Sequence, residues 1–237
     1  MKYVFGVDIG GTTVKIGLFD VEGNVLDKWE IPTRTENDGE EILPDVADSI
    51  REKMKQMDKD AIAGVGVGAP GPIDAGGVVH RAVNLGWKTF NVKETLEALI
   101  NLPVRAGNDA NVAALGEMWM GGGKGYKDLV VVTLGTGVGG GIIVDGRMIS
   151  GSTGAAGEIG HIHVDDTETD VCNCGNKGCL EQFASATGIT RLANKKLAST
   201  DMDSVLRGGE VSAKTVFDAV KARDPLAMEV AEQFGKL

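Results

Sequence analysis

Cysteine and histidine are scarce in this chain, three of each among 237 residues. So few thiols, gathered in one place, do not make the disulfide framework of a small secreted domain, and a reducing cytosol suits them better. Long apolar runs are missing as well, since none approaches the roughly 20 residues that a membrane-spanning helix needs. The opening "MKYVFGVDIGG" has too short an apolar stretch for a secretory signal and turns acidic at once. Positive charge is in deficit: 24 Lys and Arg stand against 34 Asp and Glu, a net charge of −10. That balance argues against non-specific nucleic-acid binding. A chain of this length with 42% hydrophobic residues can bury a sizeable core as one large or two modest domains. The expectation is a soluble, cytoplasmic protein with neither membrane nor nucleic acid as a partner.

Glycine, by contrast, is abundant at 35 residues, and it is clustered rather than periodic, which excludes collagen-like and low-complexity readings. The first cluster lies in a predicted hairpin, with "YVFGVDIG" as one strand, "GGTT" as the turn and "VKIGLFD" as the return. A third strand, "VLDKWEIP", follows. Ile42, Val46, Ile50 and Met54 recur every four residues and predict an amphipathic helix over 40–57. "AIAGVGVGAPGPID" reads as a buried strand ending in a Gly/Pro loop, 92–100 as a short helix, "LPVRAGND" as a strand and 110–120 as another helix. "GGGKGYKD" at 121–128 is the candidate linker, dividing a small N-terminal α/β domain (1–120) from a larger one (121–237). Beyond it, "LVVVTLGTGVGGGIIVDG" repeats the first hairpin. At a constant offset of 125, Gly10 falls on Gly135, Leu18 on Ile143, Phe19 on Val144 and Asp20 on Asp145. Two copies of one supersecondary unit point to two related domains.

The paired turns, "DIGGTTVK" and "LGTGVGGG", suit phosphate groups. Glycines at Gly10, Gly11, Gly135, Gly137 and Gly139 let the backbone approach an anion, and successive N–H groups can form a concave nest for it. Thr12 and Thr136 add hydroxyls, Lys15 a positive charge, and Asp8 a carboxylate able to hold Mg²⁺ directly or through water. The Walker pattern is absent, and a dinucleotide fingerprint is disfavoured because "GVGGG" sits between two strands. The alternative is a pair of ordinary tight β-turns. "GNDANVAALGE" sets Asn108 and Asp109 at a strand end ahead of a helix. There a carboxylate can take a hydroxyl proton, although Asp109 or Asn111 could instead simply cap the helix.

All three cysteines and two of the histidines fall within "GHIHVDDTETDVCNCGNKGCLE". Cys172, Cys174 and Cys179 with one upstream imidazole make a Cys₃His set of the kind that structural Zn²⁺ selects. His161 is the expected ligand, with His163 as the alternative, and the spacing is not that of a nucleic-acid zinc finger. His80 and Trp87 read as surface or packing residues.

These motifs resemble a known group. "FGVDIGGTTVKIGLFD" and "LGTGVGGG" are similar to the two phosphate segments of the actin-like ATPase and sugar-kinase superfamily. "GNDANVAALGE", "AAGEIGH" and "CNCGNKGCLE" narrow the resemblance to the ROK family of bacterial sugar kinases and repressors, and "GAPGPID" and "NLGW" to its glucokinase branch. The resemblance runs from residue 2 to about residue 190. It implies a two-domain α/β sugar-kinase fold of the actin-like (ribonuclease H-like) type. The activity implied is ATP-dependent phosphorylation of the 6-hydroxyl of glucose, or of another hexose or N-acetylated amino sugar. By the resemblance Asp109 is the general base, Asn108, Glu158, His161 and Glu181 bind the sugar, and Gly71 offers a backbone contact. ATP would come with Mg²⁺, and Zn²⁺ would be structural, its His161 ligand meeting the sugar through the other ring nitrogen. Dimers or tetramers are common in the family. A sugar-sensing repressor is the other class; family repressors carry a helix-turn-helix ahead of the body, and here the first strand begins by residue 3. The family continues beyond "AMEVAEQFGKL" with further strands and a loop that holds adenosine. The expectation is therefore an incomplete second domain without an adenine pocket, poorly stable and weakly active in isolation.

Overall fold

The structure, a computed structural model, describes residues 2–236. Its elements follow the chain as β1 (Tyr3–Ile9), β2 (Thr13–Asp20), β3 (Val25–Pro32), α1 (Ile42–Met54), β4 (Ile62–Ala69), the two-residue strands β5 (Val78–Val79) and β6 (Phe90–Asn91), α2 (Val92–Ile100), β7 (Val104–Asn108), α3 (Asp109–Met120), β8 (Leu129–Leu134), β9 (Val138–Val144), β10 (Arg147–Met148), α4 (Glu181–Ala184), α5 (Ala186–Ser199), α6 (Ala213–Lys221) and α7 (Pro225–Gly235). Packing divides the chain into two compact units, Met1–Val131 with Gly141–Gly157, and Val132–Gly140 with Glu158–Leu237. The division passes through the second hairpin, and the glycine-rich stretch 121–128 lies inside the first unit. No helix among the described residues is long and apolar enough to cross a membrane.

The first unit is built on a five-stranded sheet in the order β3-β2-β1-β4-β7. β1–β2 and β2–β3 pair antiparallel, as tight turns allow, whereas β1–β4 and β4–β7 pair parallel. Parallel neighbours need a crossover, which α1 and α2 supply. Phe5, Val7 and Ile9 of β1, Val14, Ile16 and Leu18 of β2, and Val65 and Val67 of β4 form one core with Ile42, Val46, Ala47 and Ile50 of α1 and Leu96 and Ile100 of α2. The four-residue apolar spacing expected of α1 is the stripe that this sheet covers. Each fully buried Val, Ile, Leu or Phe contributes about 1.5–3 kcal/mol, so the sheet ends are firm mounts for polar groups.

The second unit is largely helical. Phe183, Ile189 and Leu192 pack with Val216, Leu226 and Val230 in a core of their own. Its helix starts carry the expected chemistry: Ser185 accepts from the Gly188 N–H, Ser212 and Thr215 form a capping box, and Asp224 caps α7 ahead of Pro225. β10, β9 and β8 form a three-stranded sheet in that order, of which only Val132–Gly140 belong to this unit. The repeat seen in the sequence persists in the strands: β1 ends at Ile9 and β2 begins at Thr13, while β8 ends at Leu134 and β9 begins at Val138, 125 residues on.

β4 runs into a loop held by Gly71, whose φ of 86° lies in the left-handed region. A side chain there would meet the Arg81 carbonyl oxygen, and the Gly71 carbonyl itself accepts from Asn108 Nδ2 at 3.1 Å. Gly71→Ala is therefore expected to destabilise the protein by about 2–4 kcal/mol, from conformational strain plus backbone overlap. Urea unfolding is the check; a change below about 0.5 kcal/mol, the size of a neutral surface substitution, would refute this loop geometry.

Candidate functional site

In the first unit the polar groups cluster where strands end. β7 stops at Asn108, which leaves the strand with φ −60° and ψ 142° and turns straight into α3. Asn108 Oδ1 accepts from the Asn111 N–H at 3.1 Å, so the helix cap is Asn108 and not Asp109 or Asn111. Its Nδ2 donates to Gly71, which ties the cap to the loop after β4. These use two of the four hydrogen bonds an Asn side chain can make, and the same amide also bears on the neighbouring Asp109 carboxyl. Freed from capping, Asp109 occupies the first helical position, with Oδ1 accepting from the Ala110 N–H at 2.7 Å. Its side chain reaches solvent, yet much of the surrounding volume is protein. Poor hydration, seconded by the negative charge of Asp8, holds its carboxyl above the usual carboxylate range.

Asp8 lies on β1 directly across from Lys15 on β2, so both exposed side chains stand on one face of the sheet beside the turn. In that turn Gly10 donates its N–H to the Thr13 carbonyl at 3.0 Å, and Thr12 is exposed. An aspartate with accessible oxygens beside a phosphate-sized turn is a donor set that fits Mg²⁺, which takes one or two carboxylates and otherwise phosphate oxygens and water.

The second unit carries the other half of the expected residues. Gly135, Thr136 and Gly137 make the turn of the second hairpin, and Gly139 lies past it within β9. Glu181 reaches this turn: its Oε2 accepts from the Val138 N–H at 3.0 Å, and a side chain at position 137 would run into that carboxylate. Nearby, Cys172 Sγ is 3.7 Å from His161 Nδ1, and Cys174 Sγ is 3.6 Å from Cys179 Sγ. The donor atoms of all four residues lie within 4.8 Å of one another. A tetrahedral ion with bonds near 2.3 Å would hold its ligand atoms about 3.8 Å apart, so the set fits Zn²⁺. Burial, aided by the neighbouring thiols, pushes Cys179 up to about 12. Three thiols so close cannot all ionise without a cation to balance them.

His163 points elsewhere, Nδ1 to the Lys177 carbonyl at 2.9 Å and Nε2 to Asp166 at 2.8 Å. His161 Nε2, on the ring edge away from Cys172, lies 3.9 Å from Glu158 Oε2. Sequence reasoning missed the residues that brace this segment. Gln182 accepts from the Cys179 N–H and donates to the Asp170 carbonyl, while Arg191 pairs with Glu168 and Asp170 and lies over the Phe183 ring. Glu168 is almost fully buried; burial opposes its charge, but the Asp170 N–H, Arg191 and Lys195 outweigh it and bring its pKa down to about 2. A lone Gln and scattered charges carry no motif, so only their convergence reveals them. Trp87 is packed in the first core and donates to the Gly39 carbonyl, and His80 sits 3.7 Å from Asp74.

Known proteins share these features. The model of the ROK family matches residues 4–237. A glucokinase of Halalkalibacterium halodurans is 43% identical over 238 residues, covering 98% of this chain and 72% of the relative. A glucokinase of Thermotoga maritima is 36% identical, covering 97% of this chain and 73% of the relative. Among solved structures, a ROK family glucokinase from Streptomyces griseus in complex with glucose and AMPPNP aligns with a TM-score of 0.81 at 33% identity, over 98% of this chain and 75% of that one. With a family match across nearly its whole length and the sugar-kinase fold, the chain belongs to the ROK family.

Proposed function

We propose that the protein is an ATP-dependent glucokinase that transfers a phosphoryl group to the 6-hydroxyl of glucose. The observation that carries this reading is Asp109: an accessible carboxylate at the start of α3, relieved of capping by Asn108, with its proton affinity raised. The glucokinase relatives and the glucose-bound neighbour support the substrate class.

Phosphoryl transfer asks the protein mainly for positioning and charge stabilisation. Asp109 takes the hydroxyl proton as the sugar oxygen attacks, and a base of raised pKa does this better than an ordinary aspartate. Asn108 meets the sugar through its side-chain amide. The backbone around Gly10–Thr12 and Gly135–Gly137, together with Lys15, receives the phosphates. Asp8 would hold Mg²⁺, which when bound offsets phosphate charge. Glu158, His161 and Glu181 bind sugar hydroxyls. Cys172, Cys174, Cys179 and His161 Nδ1 would hold Zn²⁺, which fixes the imidazole tautomer and leaves Nε2 for the sugar. A protein with reduced thiols and ATP as co-substrate would work in the cytosol.

Asp109→Asn should keep glucose affinity within about twofold yet lower kcat by roughly 10²–10⁴. Calorimetry and a coupled assay measure the two, and near-normal turnover would rule Asp109 out as base. The acid limb of kcat/KM should lie above the ordinary aspartate value of about 3.9, because only ionised Asp109 accepts a proton. Asp8→Asn removes a like charge, favours the ionised form and should move that limb to lower pH whatever the absolute rate; a limb that stays or rises contradicts the coupling. Elemental analysis should find about one zinc per chain, with Cys174→Ser losing it and melting at lower temperature. Equal zinc content in that variant would exclude the four-residue site.

A further inference from the structure

Each glycine turn is gripped from outside by a threonine. Thr33, just past β3, donates its hydroxyl to the Gly10 carbonyl at 2.7 Å and its N–H to the Thr12 carbonyl at 3.0 Å. Thr187, in the first turn of α5, donates its hydroxyl to the Thr136 carbonyl at 2.7 Å, while the neighbouring Ala186 N–H reaches the Gly135 carbonyl at 2.9 Å. The fully buried Ser185 lies beside it, its hydroxyl 2.9 Å from that of Thr187 and donating to the Glu181 carbonyl at 2.6 Å. Thr33 is 23 residues from its carbonyl partner Gly10, and Thr187 is 51 from Thr136, so neither grip belongs to the hairpin that it holds.

The consequence follows from peptide geometry. A trans peptide carries its C=O and N–H on opposite sides of one plane. Holding the Gly10 carbonyl therefore aims the Gly11 N–H away from Thr33. Holding the Gly135 and Thr136 carbonyls aims two successive N–H groups, those of Thr136 and Gly137, away from α5. Successive N–H groups turned one way are what an anion-binding nest consists of. Glycine turns left to themselves sample many conformations, and ordering them on binding would cost affinity.

We propose that Thr33 and Thr187 are positioning residues that preorganise the two turns for the phosphate groups of a nucleotide triphosphate. The proposal rests on the reading of these turns as phosphate sites. It assigns the threonines no contact with the nucleotide; they act through the peptide planes they hold.

The test uses the full chain with Thr33→Val and Thr187→Val, each paired with its Ser counterpart, which keeps the hydroxyl. Valine preserves shape, Thr33 retains its backbone bond, and Thr187 is exposed, so both variants should fold. Each valine variant should weaken AMPPNP–Mg²⁺ binding by calorimetry, and raise the KM for ATP, about fivefold, the effect of one lost hydrogen bond. kcat and the KM for glucose should stay within about twofold, and serine should restore nucleotide affinity. Unchanged nucleotide affinity, or equal losses for glucose and nucleotide, would overturn the proposal. Gly135→Ala separates this from failure of the phosphate reading, because a methyl group there meets no protein atom within 4 Å and can obstruct only a ligand. Weaker AMPPNP binding in Gly135→Ala alongside normal binding in both valine variants rejects the brace alone. Normal AMPPNP binding in Gly135→Ala rejects the phosphate site, and the brace with it.

Discussion

The side-chain amide of Asn108 holds the first unit's chemistry in place. One of its ends closes the α3 N-terminus through the Asn111 N–H, and the other pins the Gly71 carbonyl in the loop after β4. Strand end, helix start and glycine loop are thereby fixed by one planar group that is itself buried. Because the cap is made by Asn108, the next residue is spared from capping and presents its carboxylate in a defined direction. Asp109 is free for the role proposed for it because its neighbour does the capping.

That placement sets an electrostatic problem. The negative charge of Asp8 adds to poor hydration in disfavouring the ionised form of Asp109, and bound phosphates would bring several more negative charges. Such a site works only if opposing charge and oriented dipoles accompany it. Lys15 stands across from Asp8, the neighbouring Gly10–Thr12 turn has backbone N–H groups, and a divalent cation would supply the remainder. Poor hydration first, and repulsion by Asp8 second, raise the proton affinity of Asp109, the direction that suits the base proposed above.

In the second unit soft ligands replace backbone as the organising device. A loop of the kind that carries Cys172, Cys174 and Cys179 has little apolar content of its own, and four donor atoms around one cation would substitute for a core. Gln182 and Arg191 continue that bracing into the helices, and Glu181 continues it to the second glycine turn. The Cys/His cluster and the second glycine turn in this unit therefore share one hydrogen-bonded support.

Much of this was legible in the sequence. The paired hairpins, the four-residue stripe of α1, the span of α2 and the concentration of thiols are local patterns, and local patterns follow from strand and helix periods, turn chemistry and ligand type. The sequence by itself determined that glycine turns recur 125 residues apart, that a carboxylate follows an amide at a strand end, and that three cysteines accompany two candidate histidines. Tertiary structure decided what spacing cannot encode: that Asn108 rather than Asp109 or Asn111 closes the helix, and that His161 rather than His163 meets the thiols. It also decided that packing divides within the second hairpin, and that Thr33 and Thr187 grip turns far away in the chain. Each of these depends on which groups folding brings into contact, and such contacts are set by long-range packing rather than by order along the chain.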